Sequence, residues 1–197
     1  MARPRAVDYD DKRNAILSAS ARAFADTGFD GASMSQIALA CGVSKALLYH
    51  YYTNKEQLLF DVIEAHLEDL VAAVREVERG NAPEDRLVRL CTVILEAYRD
   101  ADAEHKVQIN NLSRLPADKQ DILKKMERDL VDVFAEALAE ANPDLAANPR
   151  LLKPVTMSLF GMLNWHYLWF RPTGPVSRED YAAIAARIVI AGSRALD

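Results

Sequence analysis

Apolar residues recur at intervals of three or four along nearly the whole chain, and no stretch alternates in steps of two, so the pattern predicts an all-α protein of about nine helices. The first helix is expected from about Asp10 to Thr27, with Ile16, Leu17, Ala23 and Phe24 turned inward and Gly28 as its stop. Residues 1–9 contain Pro4 and no periodicity, which predicts a flexible tail. Ser33 followed by Gln36 is a capping-box pair, so a short helix starts there, with Ile37 facing a core. Gly42 lies just past its end, where a left-handed backbone favours glycine. Ser44 caps a second short helix whose inward residue is Leu48. Two short helices joined by so tight a turn form a helix-turn-helix, the arrangement that lays a helix in the major groove of DNA.

Asn54 with Gln57 marks a further start, and the helix to about Arg79 keeps Leu58, Leu59, Val62, His66, Leu70 and Val74 close together. Beyond Gly80-Asn81-Ala82-Pro83 the stripes continue. Leu87, Leu90, Cys91, Ile94, Leu95 and Tyr98 form one, and Leu123, Met126, Leu130, Phe134 and Leu138 another, on a helix of about Ala117–Ala141. A polar segment covers Ala103 to Leu115, and Asn142-Pro143 and Asn148-Pro149 bracket a loop. The last two helices are expected over about Leu151–Phe170 and Ser177–Leu196, the latter opened by a Ser177/Asp180 cap. The boundaries expected are a head at 10–56 and a larger helical domain at 57–197.

Charge changes the picture only when divided. The whole chain of 197 residues carries −5, but residues 1–55 hold seven Lys/Arg against five Asp. The acidic balance therefore lies in the second region, and the head is free to meet phosphate. Two cysteines, Cys41 and Cys91, are read as reduced and buried rather than as a disulfide. The opening residues lack the apolar run of a signal peptide, and Val155–Phe170 is too short and too polar to span a bilayer, so a soluble cytoplasmic protein is expected.

In the second short helix Lys45, Ala46 and Leu47 form the exposed N-terminal face. Lys45 can reach guanine acceptors, Ala46 permits close approach and Leu47 suits a thymine methyl. Ser33, Ser44, Tyr49, His50, Tyr51 and Lys55 suit phosphate, and the helix starts add amide donors. Tyr51 serves equally well as core packing, and Tyr52 is expected to be core.

The stretch GVSKALLYHYYTNKEQLL, with TGFDGASMSQIA before it, resembles the DNA-binding signature of the tetracycline-repressor (TetR) family of bacterial transcription regulators over about residues 10–60. Leu47 stands where many members carry a small hydroxyl residue, and Tyr52 replaces the usual phenylalanine. The resemblance implies a homodimer on a palindromic double-stranded operator, with a helical ligand-binding and dimerisation domain. It also implies repression, relieved when a small molecule binds.

In the second region, Leu159–Phe170 is apolar nearly all round, so such a helix must be covered on every side. With Tyr181, Ile184, Ala185, Ile188 and Gly192 of the last helix it can build a four-helix interface across a two-fold axis. Phe160, Trp165 and Trp169 are read first as core and dimer contact. The sharper alternative makes them the wall of a ligand cavity, with Tyr98, Asn110, Asn111, Asn164 and His166 as its polar groups. His66 and His105 are read as surface or boundary residues, and no metal or cofactor is expected. NNLSRLP and FGMLNWHYLWFRPTGP resemble the subset that senses acyl-CoA thioesters, which implies a small apolar effector with Arg114 and Arg171 at its phosphates. An amphipathic drug-like effector is the alternative. Two other readings remain beside the regulator. One is a ligand-independent DNA-binding or scaffolding dimer. The other is a helical enzyme, for which no nucleophile–base pair, paired carboxylates or glycine-rich phosphate loop is present; Glu64 and Glu68 lie on a charged face.

Overall fold

The computed structural model describes residues 4–80 and 82–196. It is all-helical over those residues, with nine helices of seven residues or more. In chain order they are α1 (Pro4–Gly31), α2 (Met34–Ala40), α3 (Lys45–Tyr51), α4 (Lys55–Arg75), α5 (Pro83–Ala97), α6 (Asp102–Asn111), α7 (Ala117–Ala141), the single turn α8 (Pro143–Ala146), α9 (Pro149–Asn164), the single turn α10 (His166–Trp169) and α11 (Arg178–Ser193). A 3-10 turn at Leu112–Arg114 follows α6.

The chain divides into two compact units. The first combines residues 1–67 with 100–124, and the second combines 68–99 with 125–197. Chain order alone places 100–124 with the larger domain; the reason they join the head is α6. Its Lys106 ammonium donates to the Ala25 carbonyl of α1 at 2.7 Å, and Arg114 pairs with Asp30 at 3.2 Å. His66 of α4 and His105 of α6 meet at 5.8 Å between ring centres, and both are buried. This corrects the reading of the two histidines as surface residues. Single-helix periodicity missed them because an imidazole fits a buried face as readily as a wet one.

The core of the first unit is the expected one. Phe24 packs on Phe29 with ring centres 5.7 Å apart, and Ile16, Ile37, Leu48, Leu58 and Leu59 are buried around them. α1 begins at Pro4 rather than at Asp10, since proline is at home in a first turn, so residues 4–9 of the expected tail are helical and residues 1–3 lie outside the described residues. Gly28 breaks the helical path as foreseen, at φ 73°, and one further turn runs on to Gly31. Ser33 and Gln36 complete the capping box, and Gly42 takes φ 65° in the turn between α2 and α3. A β-carbon at Gly42 would meet nothing within 4 Å, so only the backbone conformation favours glycine there.

In the second unit Leu130, Phe134 and Leu138 of the expected α7 stripe are buried and Met126 is only partly so, with Phe134 against Phe160 at 4.9 Å. Arg86 is a buried charge on α5 whose two Nη atoms pair with Glu136 (3.2 Å) and Glu140 (2.7 Å) of α7. The bracketed loop contains α8, capped by Asn142, whose amide also donates to Ser193 at 3.1 Å. The predicted helix over Leu151–Phe170 is broken at Trp165. The break turns His166 inward, where its ring lies between Phe170 (4.2 Å) and Tyr181 (5.2 Å). It turns Trp165, Leu168 and Trp169 outward. No helix among the described residues is long and apolar enough to cross a membrane.

Candidate nucleic-acid interface

The helix-turn-helix is set by its caps. Ser33 Oγ accepts from the Gln36 amide at 3.2 Å while Gln36 Oε1 accepts from the Ser33 amide at 3.0 Å. Ser44 Oγ accepts from the Leu47 amide at 3.1 Å. Both serine hydroxyls keep a proton to donate, and both residues are exposed. The turn closes through Val43 N–H to the Ala38 carbonyl at 3.0 Å, so α3 begins at a fixed angle to α2.

α3 then sorts its residues by side. Leu48 is buried against Ile37, while Lys45, Ala46, Tyr49 and His50 are exposed and Leu47 is partly so. The Lys45 ammonium lies 5.8 Å above the Tyr49 ring, a loose contact that leaves its charge outward. His50 meets Tyr51 edge-on at 5.9 Å. Tyr51 stacks on Tyr9 of α1 at 4.8 Å and so combines a packing role with its half-exposed position. Tyr52 is 2 % exposed, as its expected core role requires. Its hydroxyl has no hydrogen bond of good geometry, although the Arg13 guanidinium is near enough to act on it by charge and as a weak donor. Burial first, and the nearby Asp61 carboxylate second, push that phenol up to about 12.

Lys55 departs from its expected place at phosphate. Its ammonium donates to the carbonyls of Phe29 (2.6 Å) and Ala32 (2.9 Å) and sits 4.3 Å above the Phe29 ring. The charge closes the segment that leads into α2. The reason is geometric: Gly28 bends the end of α1 so that its carbonyls face the start of α4. Sequence reasoning also missed Tyr9, Arg13 and Asp61. Only Gln57 and Asp61, four apart on one helix, left a signal.

The residues proposed for a ligand fall into both units. In the first, Asn110 and Asn111 each donate to a carbonyl of their own helix, at 2.9 and 3.3 Å, and Arg114 is held by Asp30. In the second, the buried Tyr98 hydroxyl donates to Asn164 Oδ1 at 2.9 Å, and burial holds that phenol well above its ordinary range. Phe160 is core, whereas Trp165 and Trp169 are half exposed and Arg171 is exposed. His166 is enclosed by rings, and burial followed by the Arg178 charge lowers its pKa to about 4. Of the dimer candidates, Ile184 and Ile188 are exposed, Tyr181 is partly so and donates to the Met162 carbonyl at 3.2 Å, and Gly192 is exposed. Ala185 has no surface left, because it faces the interior of its own unit, and so it offers nothing to a partner. Among the described residues no group of three or more His, Cys, Asp or Glu side chains could hold a metal.

Two family models match the chain: the tetR family of bacterial regulatory proteins over residues 16–62, and the tetracyclin repressor-like C-terminal domain over residues 80–193. The chain is 27% identical over 186 residues to the HTH-type transcriptional repressor KstR2 of Mycolicibacterium smegmatis, covering 92% of this chain and 90% of that one. The crystal structure of a TetR-family transcriptional regulator from Bordetella parapertussis is 34% identical, with a TM-score of 0.85 and coverage of 94% and 97% of the two chains. The structure of AibR in complex with isovaleryl coenzyme A and operator DNA is 28% identical, with a TM-score of 0.74 and coverage of 90% and 97%. The head, the exposed face of α3 and these matches agree: the chain belongs to the TetR family of DNA-binding transcriptional regulators, a family that is not enzymatic.

Proposed function

We propose that the protein is a homodimeric repressor, acting in the cytoplasm, which holds a palindromic operator and releases it when an apolar acyl-CoA thioester binds. The observation that carries the effector class is the likeness to AibR, whose solved complex contains isovaleryl coenzyme A and operator DNA. KstR2, similar over most of both chains, supports repression as the sign of regulation. The buried Tyr98 bonded to the part-buried Asn164 supplies a polar pair beside apolar side chains, the kind of group that orients a ligand. Arg171, exposed in the same unit, is the cation offered to the coenzyme phosphates.

Dimerisation is supported by an apolar surface on the second unit. Ile184 and Ile188, four apart on α11, are exposed together with Met157 of α9 and with Trp165, Leu168 and Trp169 around α10. The opposite face of α11 is filled by Ala182, Ala185, Ala186 and Val189 inside its own unit. A helix apolar on both sides is expected to carry a partner on the second, and a two-fold axis there matches two half-sites on DNA.

The test is a gel-shift titration on the DNA upstream of the chain's own gene, with and without a series of acyl-CoA thioesters. Binding that weakens with salt, and falls away on adding one chain length of thioester, is the expected result. Tighter binding with thioester would reverse the sign of the switch and keep the effector class. Indifference to every thioester would remove the class.

A further inference from the structure

Behind the recognition helix, four polar side chains of the first unit form one directed chain. Lys119, in the first turn of α7, donates to Gln57 Oε1 at 2.6 Å. Gln57 Nε2 donates to Asp61 Oδ1 at 2.6 Å, and Arg13 Nη2 donates to Asp61 Oδ2 at 3.0 Å. The amide of Gln57 has a cation on its oxygen and a carboxylate on its nitrogen, so it can be oriented only one way. Both carboxylate oxygens of Asp61 are engaged, and charge alternates along the path from lysine to arginine. Lys119 also lies 4.8 Å above the Phe60 ring, which anchors the outer end.

The inner end reaches α3 through α1. Tyr9 and Arg13 are four apart and share one face of α1. Tyr9 stacks on Tyr51, the last residue of α3, while Arg13 is tied to α4 through Asp61. Rotation of α1 about its axis would therefore move the Tyr51 end of α3, and the Arg13–Asp61 pair opposes that rotation. The Asp61 side chain is largely buried while that of Arg13 is about a third exposed, so solvent screens the pair only in part. We propose that Asp61 is a positioning residue for operator binding: through Arg13 it fixes the setting of the recognition helix, and through Gln57 it ties that setting to the start of α7.

The experiment measures affinity by fluorescence anisotropy across a salt series, using a labelled duplex selected from a random-sequence library by the wild-type protein. Circular dichroism establishes that each variant is folded at the assay temperature. Asp61→Asn is expected to weaken binding about tenfold, with the slope against log salt unchanged because no phosphate contact is lost. Asp61→Glu, which keeps the charge, is expected to recover most of the loss. Arg13→Gln is expected to match Asp61→Asn, and the double variant to be no worse than either. Lys119→Met, at the far end, is expected to cost about two- to threefold with the slope again unchanged. If Asp61→Asn does not fold, Lys119→Met carries the test alone, and wild-type affinity for it overturns the proposal. Losses that add in the double variant, or a slope reduced by about 0.9 in Arg13→Gln, would also overturn it by making Arg13 a phosphate contact in its own right.

Discussion

The two compact units spend their polar and apolar groups in opposite ways. In the first, three cations are engaged by part-buried partners within the fold: Lys55 by backbone carbonyls, Arg13 by Asp61 and Lys119 by Gln57. Its outward face at α3 carries Lys45, Ala46, Tyr49, His50 and a partly exposed Leu47. In the second, the buried charge of Arg86 is paired within the fold, while large apolar side chains are left outside. A surface that reads base edges needs a rigid mount and few contacts; a surface that holds a second copy needs apolar area. On the proposed reading, the difference between the units follows from what each has to meet.

The comparison breaks most visibly at Ile188. Ile188→Asp places a charge where the side chain is 56% exposed, so the subunit fold should survive. Across a two-fold axis the same change puts two aspartates near each other on a formerly apolar face. Sedimentation should report a monomer, and operator affinity should fall by about a hundredfold or more as the coupling of two half-sites is lost. A variant that stays dimeric would move the partner surface away from α11.

Next in size is the head's own core. Leu48→Ala removes a fully buried side chain and should cost about 2–5 kcal/mol, read from denaturant unfolding, with operator binding lost in proportion to the unfolded fraction. That position was legible in the sequence because the head is specified locally: Ser33, Gln36, Gly42 and Ser44 act on neighbours three or four residues away. Leu58, Phe24 and the α7 stripe were legible for the same reason. What was not legible depends on distant segments meeting. Lys55 lies 26 residues from the Phe29 carbonyl it closes, and Lys119 lies 62 residues from Gln57. The break at Trp165 was hidden because an unbroken apolar run reads as one helix, whereas the broken path lets His166 stack on Phe170 and Tyr181.

Acid should act on both units, through one histidine in each. His66 in the first is lowered to about 3 by burial and by His105, and His166 in the second to about 4 by burial and by Arg178. Both are neutral in the fold and would protonate near 6.5 when unfolded. The unfolded chain therefore binds more protons below 6.5, and stability is complete above that value and falls as pH drops through the window toward 4 and then 3. Each buried imidazole contributes a slope of about 1.4 kcal/mol per pH unit inside its window. Denaturant titrations at pH 7, 6 and 5 should show this fall, and His66→Gln should flatten it. A slope unaffected by that change would place the acid sensitivity in other groups.

Lys55 and Lys45 sharpen the contrast within the head. Lys45→Ala should lower the salt slope by about 0.9 if the ammonium meets a phosphate, or alter base preference at one position if it meets a guanine. Lys55→Met should weaken binding about tenfold with an unchanged slope, because it releases the segment before α2 and removes no outward charge. Anisotropy across a salt series separates the two. A slope that drops for Lys55→Met would return that residue to the phosphate-facing surface.

The smallest effect expected concerns Tyr52, which carries a hydroxyl on a buried ring. The oxygen is buried and lacks a well-formed hydrogen bond, so it is desolvated without full compensation. The guanidinium of Arg13 is near enough to raise the worth of that oxygen, but its fixed bond is to Asp61. Tyr52→Phe removes the oxygen and keeps the ring, so it should stabilise the protein by less than about 1 kcal/mol. The corresponding rise in Tm for a chain of this size is about 2–4 °C per kcal/mol. Operator affinity should not change, because α3 is held by the Tyr9–Tyr51 stack and by the Arg13–Asp61 pair, neither of which uses that oxygen. A fall in Tm would show that Arg13 serves the hydroxyl as a donor in solution. The anchor of the recognition helix would then extend one residue further into the core than the hydrogen-bond geometry indicates.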